Sequence, residues 1–212
     1  MGHVLALRIA TTLSHSQMNP WLPLLAAALP FLATAEDPPV MEKPGEHHAH
    51  LKAMAGTWDG KAKFHIAPGQ TMEGSGVEIA RLQPGGFWLI SDFNGKFGDM
   101  DFHGHAVLGY EAHKKQYTGT WVDSFASVMM VYKGHCEKDG KVNVMNGTAY
   151  DPMKQREVSF KQVTEIVDAN TKTLKMFAVE GEKETLFMET VYKRRAANPA
   201  PKTKAGKSAP KP

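Results

Sequence analysis

Gly56-Thr57-Trp58-Asp59-Gly60-Lys61-Ala62-Lys63-Phe64-His65-Ile66 is the stretch whose reading decides the fold. Trp58, Gly60, Ala62, Phe64 and Ile66 fall on one side; Asp59, Lys61, Lys63 and His65 fall on the other. Alternation with a period of two marks a half-buried strand with a charged outer face. A tryptophan at the head of such a strand can plug the end of a closed sheet.

Downstream, the same pattern recurs at regular spacing. Further strands are predicted over 74–82, 87–93, 100–110, 116–123, 127–137, 141–150, 156–167, 173–179 and 184–194. Turn residues separate them: Pro68-Gly69, Pro84-Gly85-Gly86, Asn94-Gly95, Asp139-Gly140, Asp151-Pro152, Asp168-Ala169-Asn170 and Glu180-Gly181. Asn-Gly is the strongest of these as a hairpin signal. Tight sequential turns favour an up-and-down order, since each strand can pair with its neighbour in sequence. A sheet this wide leaves open edges unless it closes. The chain is therefore expected to be all-β, an antiparallel barrel of about ten strands; a sandwich is the alternative.

The flanks read differently. Residues 47–55 carry Leu51, Met54 and Ala55 at helical spacing, and Gly56 can stop a helix there, so a short helix is expected to cover one mouth. Residues 1–35 read as an export signal: Arg8 precedes the apolar stretch 21–35, and Ala33-Thr34-Ala35 has the small-x-small form of a cleavage site. Met18 is an alternative start, and an uncleaved apolar arm an alternative reading. That stretch carries Pro23 and Pro30 and falls short of the roughly 20 apolar residues that span a membrane. The expected location is periplasmic or secreted, with cleavage near Ala35. Residues 36–47 form a proline-rich linker, 48–195 the barrel domain, and 196–212 a Lys/Pro/Ala tail without large apolar residues, expected to be disordered.

Composition fits a globular domain: of 212 residues, 42% are hydrophobic and 22% charged. The net charge is +3, but Lys202, Lys204, Lys207 and Lys211 lie in the tail, so the rest is close to neutral. That balance gives no case for a nucleic-acid partner. A single cysteine, Cys136, excludes an intrachain disulfide.

Gly56-Thr57-Trp58 on the first strand, with Arg194 or Arg195 on the last, resembles the lipocalin-like superfamily. In lipocalins the Trp of Gly-x-Trp packs under an Arg near the barrel end, a cation over an aromatic face. Further runs carry a closer resemblance: Leu51-Lys52-Ala53-Met54-Ala55, Pro84-Gly85-Gly86-Phe87-Trp88-Leu89, Gly104-His105-Ala106-Val107-Leu108-Gly109-Tyr110-Glu111, Gln116-Tyr117-Thr118-Gly119-Thr120-Trp121-Val122-Asp123-Ser124, and Tyr150-Asp151-Pro152-Met153. Together they resemble the bacterial lipocalin-like family catalogued as domain of unknown function 1579, over about 48–195. The resemblance implies a calycin-type barrel, with Gly56, Trp58 and Arg194 closing it; it brings no activity or ligand.

A ten-stranded barrel is wide enough to hold a cavity, whereas eight strands are nearly filled by side chains. Apolar residues occupy both faces of several strands: Leu89 and Phe93 against Trp88 and Ile90, and Met130, Tyr132 and Cys136 against Met129 and Val131. The expected partner is a small hydrophobic molecule, with Trp88, Tyr110, Tyr117, Trp121, Asp123, Met129, Tyr132 and Phe160 as candidate binding residues and Met130 and Met176 adding adaptable apolar surface. The chain after the first strand is too short for lid helices, so access is expected through an open mouth.

His103 and His105 sit two apart on one strand face, a spacing some strand-borne zinc sites use, with Asp101 or His135 as a third ligand. The apolar face of that strand is Phe102, Ala106, Leu108 and Tyr110, which argues for histidines outside. His47, His48 and His50 are expected outside the barrel, in a hydrophilic linker, with loose metal binding as the alternative. Some lipocalin-like barrels hold haem through a histidine on a late strand; here none follows His135, on the sixth. No cofactor is indicated. Nor is there a Gly-x-Ser-x-Gly, a His-Glu-x-x-His or a phosphate loop; Glu165, Asp123 and His103 are the only acid or base candidates singled out. Three classes stay open: a carrier of a small apolar molecule, an enzyme of isomerase or hydrolase type in the same cavity, and a structural domain with a filled barrel. Two titratable groups within hydrogen-bond reach in the cavity would favour the enzyme.

Overall fold

The computed structural model describes residues 41–151 and 154–196. The export signal, the start of the linker and nearly all of the tail lie outside the described residues. The described chain opens with helix α1 (His48–Met54). Ten strands follow: β1 (Gly56–Ala67), β2 (Gln70–Leu82), β3 (Trp88–Phe97), β4 (Met100–Glu111), β5 (Gln116–Asp123), β6 (Met130–Glu137), β7 (Val142–Asp151), β8 (Arg156–Asp168), β9 (Thr171–Glu180) and β10 (Lys183–Arg194). Each pairs antiparallel with its sequence neighbour, and β1 pairs with β10 to close the barrel. The closing register runs from Trp58 opposite Arg194 to Phe64 opposite Met188. No described helix is long and apolar enough to cross a membrane.

Three local expectations need correcting. Asn94-Gly95 is not a turn. β3 runs through it to Phe97, and the chain reverses at Gly98, which has φ +56°. Glycine is required at 95 for closeness: a side chain there would strike the Ser75 carbonyl and Gly76 on β2. Ile66 is 63% exposed, because the β1–β2 register shifts between His65 and Ala67 and turns it outward. The sixth strand begins at Met130 rather than 127, leaving 124–129 as a loop.

The interior has two halves. Under α1 it is mostly packed: Leu51 and Met54 join Leu89, Leu108, Met145 and Phe160 in one core cluster. A second cluster holds Trp58, Ala62, Phe93, Phe97, Phe102 and Tyr192.

Candidate functional site

The closed end is built around Trp58, 1% exposed. Gly56, at φ +142°, brings the chain from α1 into β1, a conformation that favours glycine. The Trp58 indole donates to the Met54 carbonyl at 2.9 Å. Arg194 lies over the indole, its Cζ 3.9 Å from the ring centroid. Its guanidinium also donates to the carbonyls of Ala55 (2.7 Å), Ala53 (3.0 Å) and Ala169 (2.8 Å). One side chain thus joins the end of α1, β10 and the β8–β9 turn. Arg195 points the other way and pairs with Asp59 outside.

The histidines of α1 are not in a hydrophilic linker. His48 and His50 are buried. Gly45 N–H donates to His48 Nδ1 at 2.9 Å, and His50 Nδ1 bonds the Gly140 carbonyl. Burial holds the His50 pKa below its ordinary value. His47 stacks on Tyr110 at 4.1 Å, and Tyr117 donates to the His47 carbonyl at 2.6 Å. The helix is a plug keyed by its histidines and by two tyrosines reaching up from β4 and β5.

At the opposite end the barrel is hollow. A cavity of about 290 Å³ has walls of Phe64, Phe93, Phe97 and Phe102, with methionines Met72, Met130, Met176 and Met188 beside them. The rings meet edge to face: Phe64 with Phe97 at 4.7 Å, Phe97 with Phe102 at 4.6 Å. Phe125, in the loop after β5, is half exposed and closes on Phe102 at 4.8 Å. Polar side chains on this wall are Asp123, Gln162 and Thr190, with the amphipathic rings of Trp121, Tyr132 and Tyr192. Asp123 accepts from the Trp121 indole at 2.8 Å and from the Phe125 N–H at 2.9 Å. Both carboxylate oxygens are therefore engaged in holding the wall.

Deeper, toward α1, lies a second chamber of about 80 Å³. Trp121, Tyr132, Leu174 and Tyr192 line both spaces, so the chamber is the floor of the cavity. Its polar lining includes Glu78, Ser91, Gln162, Thr164 and Lys172, beside the rings of Trp121, Tyr132 and Tyr192. Lys172 Nζ is 2.7 Å from Glu78 Oε1, and the lysine side chain is 2% exposed. The ammonium stands 4.7 Å from the Trp58 ring centroid and 4.8 Å from that of Tyr192. Desolvation lowers the lysine pKa, partly countered by Glu78. Burial raises the pKa of Tyr132 and of Tyr192.

Of the residues singled out from the sequence, Trp121, Asp123 and Tyr132 come together on the cavity wall, as do Met130 and Met176. Tyr110 and Tyr117 face inward but belong to the closed end. Phe160 is in the filled core, edge-on to Tyr132 at 6.2 Å. Trp88 does not line the cavity: it alternates with the inward Leu89 and lies over Gly109 on the outer face. Met129 is 61% exposed in the loop before β6. His103 and His105 are outside as expected from the apolar face of β4, bonded at 2.7 Å to Asn94 and Asp92. Among the described residues no group of three His, Cys, Asp or Glu is placed to hold a metal ion. The bond from His105, and then that from Arg81, holds Asp92 below the usual carboxylate range. Sequence reading missed Phe97, Phe125, Gln162 and the Glu78–Lys172 pair. Phe97 was within reach, since alternation carried on from Phe93 through Gly95 ends on it.

Residues 43–194 match the family described as Protein of unknown function (DUF1579). No curated protein matches the chain. Similar solved structures include two that cover most of this chain. One is Rv2717c from M. tuberculosis: TM-score 0.55, 11% identity, 71% of this chain and 98% of that one covered. The other is the S-type phycobiliprotein lyase CPES from Guillardia theta: TM-score 0.51, 9% identity, 73% and 95% covered. At such identities the likeness is one of fold.

Proposed function

We propose that this chain, which belongs to the DUF1579 family, carries a small apolar molecule in the open half of its barrel. The observation behind the reading is the 290 Å³ space walled by phenylalanine and methionine opposite the plugged end. Ligand pockets begin at about 300 Å³. An apolar cavity of about 150 Å³ already takes up benzene. The fitting class is a two-ring aromatic or a medium-length acyl chain. Each Å² of apolar ligand surface buried contributes about 25 cal/mol, so no charged anchor is required. The resemblance in fold to a phycobiliprotein lyase supports the reading only in that another protein built this way has a named activity.

The setting we propose is the exported compartment, supported by the residues that precede Glu36. Sequencing the amino terminus of protein from its own host should read from Glu36; a chain beginning earlier removes this part. The enzyme reading has one observation in its favour, the Glu78–Lys172 pair within hydrogen-bond distance. Those charges neutralise each other, and the ammonium is held between aromatic rings, which suits a fixed group better than one that exchanges protons.

The test is uptake of the neutral fluorophore N-phenyl-1-naphthylamine, alongside native mass spectrometry and solvent extraction of protein from its host. A saturable rise in fluorescence and a co-purifying apolar mass are expected. An empty protein with no uptake would leave the filled-barrel reading in place.

A further inference from the structure

We infer that the cavity floor is a headgroup site, where Glu78 and Lys172 together receive a neutral hydrogen-bonding group, such as an alcohol or primary amide, at one end of the apolar ligand. This rests on the carrier reading above and adds the ligand's chemistry and orientation to it.

The chamber is the right size for a headgroup and too small for a ligand body. It is about 80 Å³ against 290 Å³ for the space above, and the two share Trp121, Tyr132 and Leu174. A water molecule's share of liquid is about 30 Å³, so the floor takes a group of two or three heavy atoms. Its lining is more polar than that of the space above: Glu78, Ser91, Thr164 and Lys172 line the chamber and not the upper cavity, among apolar Met54, Leu89, Ala106 and Leu108.

The pair is poorly explained by stability. Replacing a buried ion pair with well-packed apolar residues is often neutral or stabilising. Here both charges line a cavity that opens toward solvent through the space above, which gives them something to meet. Lys172 commits one N–H to Glu78 Oε1, at 2.7 Å. An ammonium has three donors, and the two carboxylate oxygens offer about four lone-pair sites, so the pair keeps capacity beside the Tyr192 hydroxyl that also bonds Glu78. A hydroxyl or amide can donate to that carboxylate while accepting from the ammonium, and so satisfies both partners at once.

Charge decides which head is taken. Glu78 and Lys172 sum to zero. A carboxylate head would compete with Glu78 for Lys172, and an ammonium head would compete with Lys172 for Glu78. Either would leave a third, uncompensated charge in a closed, weakly polarisable space. A wholly apolar end would forgo both hydrogen bonds.

The experiment is displacement of N-phenyl-1-naphthylamine from the full chain at neutral pH by naphthalene, 2-naphthol and 2-naphthoate. These share one ring system and differ in the head. Two net hydrogen bonds correspond to about tenfold in affinity, so 2-naphthol should displace the probe at about one tenth the concentration of naphthalene. 2-Naphthoate should be the weakest. In Glu78→Leu/Lys172→Met the probe and naphthalene should still bind and the advantage of 2-naphthol should vanish. In Glu78→Gln, which keeps size and leaves Lys172 charged, the order of 2-naphthol and 2-naphthoate should reverse. Equal displacement by all three compounds would overturn the inference and leave the carrier reading standing. So would a naphthol preference that survives in both variants. No probe uptake by the unmodified chain would remove the carrier reading itself, and the headgroup site with it.

Discussion

Trp58 and Arg194 carry the closure of the barrel. The tryptophan's role was legible because a large ring at the head of an alternating strand has few places to go. The choice between Arg194 and Arg195 was not legible. It depends on pairing across β1 and β10, where Arg194 stands opposite Trp58 and shares its inward face. Trp58→Ala should cost about 3–5 kcal/mol, since it empties a fully packed site. Arg194→Lys keeps a cation near the ring but loses the fork onto Ala53 and Ala55, and should cost about 1–2 kcal/mol. Urea denaturation of both variants checks the ranking; equal losses would mean the fork contributes nothing beyond charge. His50 adds a pH dependence. Its folded pKa lies below the ordinary histidine value of 6.5 because burial penalises the cation. The folded state therefore binds fewer protons than the unfolded one. The contribution of neutral His50 is complete above pH 6.5 and is lost as pH falls through that value toward the folded pKa. Thermal melts should show this slope below pH 6.5, and His50→Phe should flatten it.

At the level of strands and turns, alternation served well wherever a strand has one wet face. β5 was legible residue by residue, and its inward set Tyr117, Trp121 and Asp123 is the set observed. It failed where apolar residues also pack outside, as Trp88 does over Gly109, because period two cannot say which apolar face is inner. Asn94-Gly95 misled for a related reason: glycine serves turns and close strand approaches alike. Glu78 and Lys172 come from β2 and β9, which are neighbours neither in sequence nor in the sheet. Only closure brings them together, so no local pattern could pair them. The strands also define a direct test of the cavity wall. A methyl at Gly104 on β4 would collide with the six-membered ring of Trp121. Gly104→Ala should push that ring into the cavity and weaken N-phenyl-1-naphthylamine binding severalfold. Unchanged uptake would show that Trp121 is not a wall of the occupied space.

Across the whole barrel, the two ends are unlike, and the difference sets where a ligand enters. One end is locked by α1, whose Leu51 and Met54 are buried and whose carbonyls are held by Arg194. At the other, the described residues include tight turns and the 124–129 loop, anchored at its start by Ser124, which accepts from the His103 N–H at 3.1 Å. Opening a segment costs least where few buried apolar contacts must break, so the loop end is the low-stability end. Amide hydrogen exchange should therefore be slow in α1 and at the ends of β1 and β10, and faster in the loop that carries Phe125. Ligand binding adds stability by mass action, about 2.7 kcal/mol at one hundred times the dissociation constant. That gain should be distributed unevenly. Saturation with N-phenyl-1-naphthylamine should slow exchange in the Phe125 loop and the β3–β4 turn, because Phe97, Phe102 and Phe125 would then pack on the probe. Amides of α1, already closed by protein contacts, should change little. Protection concentrated in α1 and the β6–β7 turn would instead place the entrance at the plugged end, with His50 and its bond to the Gly140 carbonyl as the latch.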